Sequence, residues 1–142
     1  MANQAEGTAI RLAIQAKLQT ITVAAGYRTD IGLNVVTEAK RWVPADGPRV
    51  TVFPGHKMRP QDAIGRPTER EFRHVIEVLI PADYDTAAAQ VEAAEADIED
   101  ALRGYPLMPN ATPSLFEESM VLERPDGVPA MALQMIRVLR YR

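Results

Sequence analysis

Apolar residues in this chain change their spacing in a set order, and that order admits few folds. Ile10, Ile14, Leu18 and Ile21 recur at helical intervals through residues 6–21, with Arg11, Gln15 and Gln19 elsewhere on the wheel. Gly26 is suited to stop that helix, since glycine accepts the left-handed conformation that closes one. Leu33, Val35 and Thr37 then alternate with Asn34, Val36 and Glu38, the period of a strand. Trp42 and the turn cluster Pro44, Asp46, Gly47 and Pro48 come next. Val50, Val52 and Phe53 make a second short strand, and the pair reads as a hairpin. A third strand spans 72–80, with Phe72, Ile76, Val78 and Ile80 on one face and Val75 and Leu79 on the other.

Pro81 ends that strand, and Asp83 and Asp85 are suited to cap a helix beginning just after them. The pattern predicts this second helix over 86–103, with Ala87, Val91, Ala94, Ile98 and Leu102 as its core stripe and Gly104 as its stop. Residues 105–113 read as a loop. Residues 115–124 and 129–141 read as a long hairpin turning at Pro125, Asp126 and Gly127. The last strand is apolar on both sides, through Met131, Leu133, Met135 and Leu139 against Ala132, Ile136 and Val138, which places it near the middle of a sheet or under a partner. The expectation is one α+β domain over 1–142, ordered α-β-β-β-α-β-β: a single mixed or antiparallel sheet of about five strands packed with two helices.

Composition narrows the function classes. With 142 residues the chain buries about 68–70% of its unfolded surface. It has no cysteine, which excludes disulfides, thiolate nucleophiles and cysteine metal sites. Its net charge of −3 argues against a general polyanion binder. The first residues lack a basic stretch followed by an apolar one, so no signal peptide is expected. No apolar run reaches the roughly 18–20 residues of a membrane span. The expected setting is soluble and intracellular, with no membrane partner.

Signatures of chemistry are weak. His74 alternates with Phe72 and Ile76 and reads as a packed or edge histidine; His56, beside Lys57, reads as a solvated one. Ser114 and Ser119 lie in no nucleophile elbow, and Gly47, Gly55 and Gly65 are isolated, so no phosphate loop forms. Asp83 and Asp85 read as a cap rather than a metal pair. Glu38, Ala39 and Lys40 have the form of a nuclease element, but the further acidic residue it needs is offered only by Asp30, across a glycine-containing loop. No catalytic residue, cofactor or metal is expected.

Charge carries more. From 83 to 103 the acidic residues are Asp83, Asp85, Glu92, Glu95, Asp97, Glu99 and Asp100, against Arg103 alone. This is either a solvated face or one half of a subunit contact. The basic counterpart is a long loop at about 54–70, with Lys57, Arg59, Arg66 and Arg70 against Asp62 and Glu69. Arg137, Arg140 and Arg142 add positive charge near the end. No aromatic residue is interleaved with the loop's cations, so stacking on single strands is not expected. The residues singled out for contact with another subunit or a partner protein are Lys57, Arg59, Arg66, Arg70, Glu92, Glu95, Glu99 and Asp100.

Several blocks taken together resemble the tail-terminator, or tail-completion, proteins of tailed bacteriophages and prophages. They are Ile10-Arg-Leu-Ala-Ile-Gln-Ala-Lys-Leu18, Gly26-Tyr-Arg-Thr-Asp-Ile-Gly32, Pro48-Arg-Val-Thr-Val-Phe-Pro-Gly55, Ala93-Ala-Glu-Ala-Asp-Ile-Glu-Asp-Ala-Leu102 and Ile136-Arg-Val-Leu-Arg-Tyr-Arg142. The likeness spans nearly the whole chain, and the stretch at 26–32 is its most distinctive part. The resemblance implies a non-enzymatic virion protein of the tail, assembled in the host bacterial cytoplasm. It implies a ring, generally a hexamer, that docks on the major tail tube protein, ends tube polymerisation and presents a surface to the head-completion or connector protein. DNA would pass through the lumen. Two other readings compete: a different head–tail connector component, and a small α+β enzyme or ligand-binding domain. The latter needs a pocket lined by His74, Tyr84 or Trp42.

Overall fold

The computed structural model describes residues 5–38, 40–58, 70–81, 86–104, 111–123 and 130–141. Its elements are α1 (Glu6–Leu18), β1 (Val35–Val36), β2 (Arg49–Val52), β3 (His56–Met58), β4 (Arg70–Pro81), α2 (Ala87–Leu102), β5 (Leu115–Glu123) and β6 (Ala130–Tyr141). Single 3-10 turns occupy Val23–Ala25, Ile31–Leu33 and Pro44–Asp46. One sheet runs β1-β2-β4-β6-β5, and β3 pairs with β4 off that path. Among the described strands only β1 and β2 are parallel. This is the α+β fold that the spacing predicts, and the parallel β1–β2 pair makes its sheet the mixed one of the two alternatives.

Both helices pack on one face of the sheet. Ile10, Ile14 and Leu18 are buried from α1, and Val91, Ala94, Ile98, Ala101 and Leu102 from α2. The small residues Ala94 and Ala101 let α2 lie close to β4 and β6. Those two strands form the spine, in register from Arg70↔Tyr141 to Pro81↔Ala130. Their helix-facing side carries Phe72, Ile76, Val78, Leu133, Met135 and Leu139, all buried. Each such side chain contributes about 1.5–3 kcal/mol. β6 lies between β4 and β5, an interior place in the sheet as its apolar pattern predicts.

The expected hairpin of the first two strands does not form. β1 runs parallel to β2, with Val35↔Val50 and Val36↔Thr51. Parallel neighbours require the chain to return to the starting end, and the described residues 40–48 of that return lie behind the sheet. Trp42 drives that route by packing against Leu79, Ala130 and Ala132 on the helix-free face. Its indole donates to the Gly47 carbonyl at 2.8 Å, and Arg49 donates to the Lys40 carbonyl at 2.8 Å. The predicted turn cluster therefore bends the crossover instead of closing a hairpin.

The loop placed at 54–70 is also shorter than expected. Beyond Pro54 and Gly55, β3 continues along β4, pairing His56↔Arg73, Lys57↔Phe72 and Met58↔Glu71. Arg70 already belongs to β4. The rest of that loop, the Asp83 and Asp85 cap and the turn at 125–127 lie outside the described residues.

Candidate interaction surface

The acidic helix is less exposed as charge than its sequence suggests. Asp97 is fully buried, and its carboxylate accepts from the Arg28 amide (3.1 Å), the Arg28 guanidinium (3.1 Å), the Thr29 amide (2.8 Å) and the Thr29 hydroxyl (2.7 Å). Asp100 accepts from Arg28 at 2.8 Å, and that hydrogen bond holds its pKa below the usual carboxylate range while raising that of Arg28. Glu99 pairs with Arg137. Glu95 is half-buried and accepts from the Ser119 hydroxyl of β5 at 3.1 Å. Glu92 is exposed. Residues Glu92, Glu95, Glu99 and Asp100 do share one shallow hollow of about 450 Å³, rimmed by Arg28 and Arg103.

The distinctive stretch at 26–32 is a latch between this helix and the chain following α1. Gly26 has φ +100°, closing the Val23–Ala25 turn. Asp30 accepts from the Val23 amide at 2.8 Å, while Arg28 and Thr29 grip Asp97. At Gly32 a side chain is excluded by packing, because a Cβ would lie 2.5 Å from the Ile21 carbonyl oxygen. Architecture explains that signature.

Arg137, counted from sequence as surface charge, is 2% exposed on the helix-facing side of β6. It sits opposite His74 of β4. Besides Glu99, its guanidinium donates to the Ser114 hydroxyl (2.9 Å) and carbonyl (2.7 Å). Ser114 in turn lies 3.3 Å from the Nε2 of His74, which stacks on Phe72 with ring centroids 5.5 Å apart. Burial first, and the neighbouring Arg137 charge second, hold the His74 pKa down at about 4. Desolvation likewise lowers Arg137, against the opposing pull of Glu99. A serine beside a histidine can be a nucleophile and its base. Here both are buried, and the hydroxyl accepts from an arginine, so the cluster braces α2 against the sheet.

The two ends of the sheet differ. At β1, Gln15 donates to the Val35 carbonyl at 2.9 Å and Arg11 to the Thr37 carbonyl at 2.5 Å. Four residues apart on α1, these side chains seal acceptors two apart on the strand. At the other end, among the described residues, β5 pairs with β6 alone, with a bulge between Phe116 and Glu118. Leu115, Phe116, Met120, Val121 and Leu122 are all exposed along it. Sequence reading missed this strip because adjacent apolar pairs, Leu115-Phe116 and Val121-Leu122, blur the period of two.

Of the predicted cations, Lys57 is exposed on β3, beside Gly7 of α1, and Arg70 is exposed at the start of β4. Arg59 and Arg66 lie outside the described residues, as do Tyr84 and the side chain of His56. His74 and Trp42 fall on opposite faces of the sheet and cannot line one pocket. A hollow of about 360 Å³ does lie near β1, lined by Ile31, Leu33, Asn34, Pro48, Ile80 and Gln90 among others. The carboxylates at its rim, Asp30 and Asp46, accept from the Val23 and Val43 amides and hold turns. Glu38 pairs with Arg11. Among the described residues no group of acidic or histidine side chains is arranged to hold a metal.

No protein-family model and no curated protein matches the chain. Among solved structures, a chain described as "Virion of native gene transfer agent (GTA) particle" has the same fold. It superposes with a TM-score of 0.70 at 22% identity, over 98% of both chains.

Proposed function

We propose that this chain is a structural virion protein that forms a ring, a hexamer in the reading favoured by its family resemblance, capping the tail tube. It acts by contact: it ends tube polymerisation and offers the surface on which the head-completion protein sits. The observation that carries this reading is the fold shared, end to end, with a chain of a gene transfer agent virion. The tail-terminator resemblance supplies the finer role. An open apolar edge at β5, next to the acidic face of α2, supports assembly as the mode of action.

Light scattering coupled to size exclusion, with negative-stain images, tests the reading directly. The expected result is rings, alone or on purified tail tubes, and tubes of uncontrolled length in particles assembled without this chain. A monomer that ignores tail tubes would refute it.

A further inference from the structure

We infer that copies of this chain join through β5, which docks head to tail on the β3–β4 edge of the next copy; the inference rests on the ring reading above. Of the exposed large apolar residues, Leu115, Phe116, Met120, Val121 and Leu122 lie on this one strand. Soluble monomers blunt such edges with charge, bulges or a covering element. The edge at β1 is blunted in that way by Arg11 and Gln15, so it is closed to a neighbour's strand. Among the described residues β3 pairs only with β4, so its far side is the second edge that no described strand covers.

Charge selects between the two ways of using these edges. β5 carries exposed Glu118, while its neighbour Glu117 pairs with Arg73 of β4 in the same subunit at 2.8 Å; Glu95 stands next to the strand through Ser119, with Glu92 exposed one turn away. Pairing β5 with β5 would oppose like charges. The β3–β4 edge presents exposed Lys57, flanked by half-buried Phe53 and exposed Pro54. Joining unlike edges gives a heterologous contact, the type that closes into rings. It also continues the sheet from subunit to subunit. The acidic half of the contact thus centres on β5, with Glu92 and Glu95 beside it, because Glu99 and Asp100 are engaged within the subunit.

The chain has no cysteine, so cross-linking is free of background. Lys57→Cys and Met120→Cys, mixed as separate proteins and treated with a short bis-maleimide, are expected to link to each other. Neither should link to itself, and the double variant should give a ladder of oligomers. Independently, Val121→Lys is expected to weaken assembly roughly tenfold or more, while Leu12→Lys, on the solvent side of α1, leaves it unchanged; circular dichroism checks folding of both. Dimers from Met120→Cys alone would overturn the head-to-tail contact. Rings that persist in Val121→Lys and yield no Lys57→Cys to Met120→Cys link would overturn the inference and leave the ring reading standing. A wild-type chain that never assembles removes both.

Discussion

The Arg137 guanidinium, buried on the helix-facing side of β6, is neutralised by the Glu99 carboxylate of α2. Removing only one partner of such a pair strands a desolvated charge, and the burial is lopsided, at 2% exposure for Arg137 against 27% for Glu99. Glu99→Ala is therefore expected to destabilise the chain by about 2 kcal/mol. Glu99→Ala combined with Arg137→Met should recover most of that loss. A double-mutant cycle by urea unfolding measures it, and additive effects would contradict the coupling.

Acid should loosen the same region through His74. Its folded pKa of about 4 lies below its ordinary value of 6.5, so the folded state holds the neutral ring while the unfolded chain takes up a proton. The contribution to stability is complete above pH 6.5 and is lost as pH falls from there through 4. It amounts to about 3 kcal/mol in all. Arg137 and Ser114 are the polar groups facing the ring, and neither changes charge in that window. His74→Phe should flatten the curve of unfolding free energy between pH 6.5 and 4.

Asp97→Ala removes four hydrogen-bond acceptor contacts at once and frees the 26–32 latch from α2. The expected loss is about 3 kcal/mol, with Asp97→Asn intermediate because its amide still accepts at one atom. A mutant melting within a degree or two of wild type would argue against the latch.

Glycine positions in the same stretch separate sterics from backbone strain. Gly32→Ala forces a Cβ against the Ile21 carbonyl and should lose more than about 2 kcal/mol. Gly26→Ala, in open space at φ +100°, should lose only about 1 kcal/mol. Denaturant midpoints of the two variants give the ranking.

Unsealing the β1 edge tests the claim that α1 protects it. Arg11→Ala with Gln15→Ala should lower stability by about 1–2 kcal/mol and introduce concentration-dependent association. Dynamic light scattering over a dilution series detects it, and unchanged particle size would count against a sealing role.

Much of the fold was legible in local pattern. Spacing located α1, α2 and the closing hairpin, because a helix or long strand buries one stripe and its period is written in adjacent residues. The stretch at 26–32 stood out as a motif, yet its purpose was not readable: its partner, Asp97, lies about seventy residues away in sequence. The same distance hid the seal on β1, since Arg11 and Gln15 on the helical wheel give no sign of meeting the Val35 and Thr37 carbonyls.

Sequence alone therefore determined where both helices and most of the strands lie and that a single sheet holds the strands; it left the sheet mixed or antiparallel and placed β3 in a loop. Tertiary structure decided the rest: that β1 runs parallel to β2 behind Trp42, that Asp97 and Glu99 serve the interior, and that no described strand but β6 pairs with β5. The reason is physical. Periodicity records what each residue faces along its own element, whereas strand direction, ion-pair partners and free edges depend on which elements meet, and those meetings are settled by packing across the whole chain.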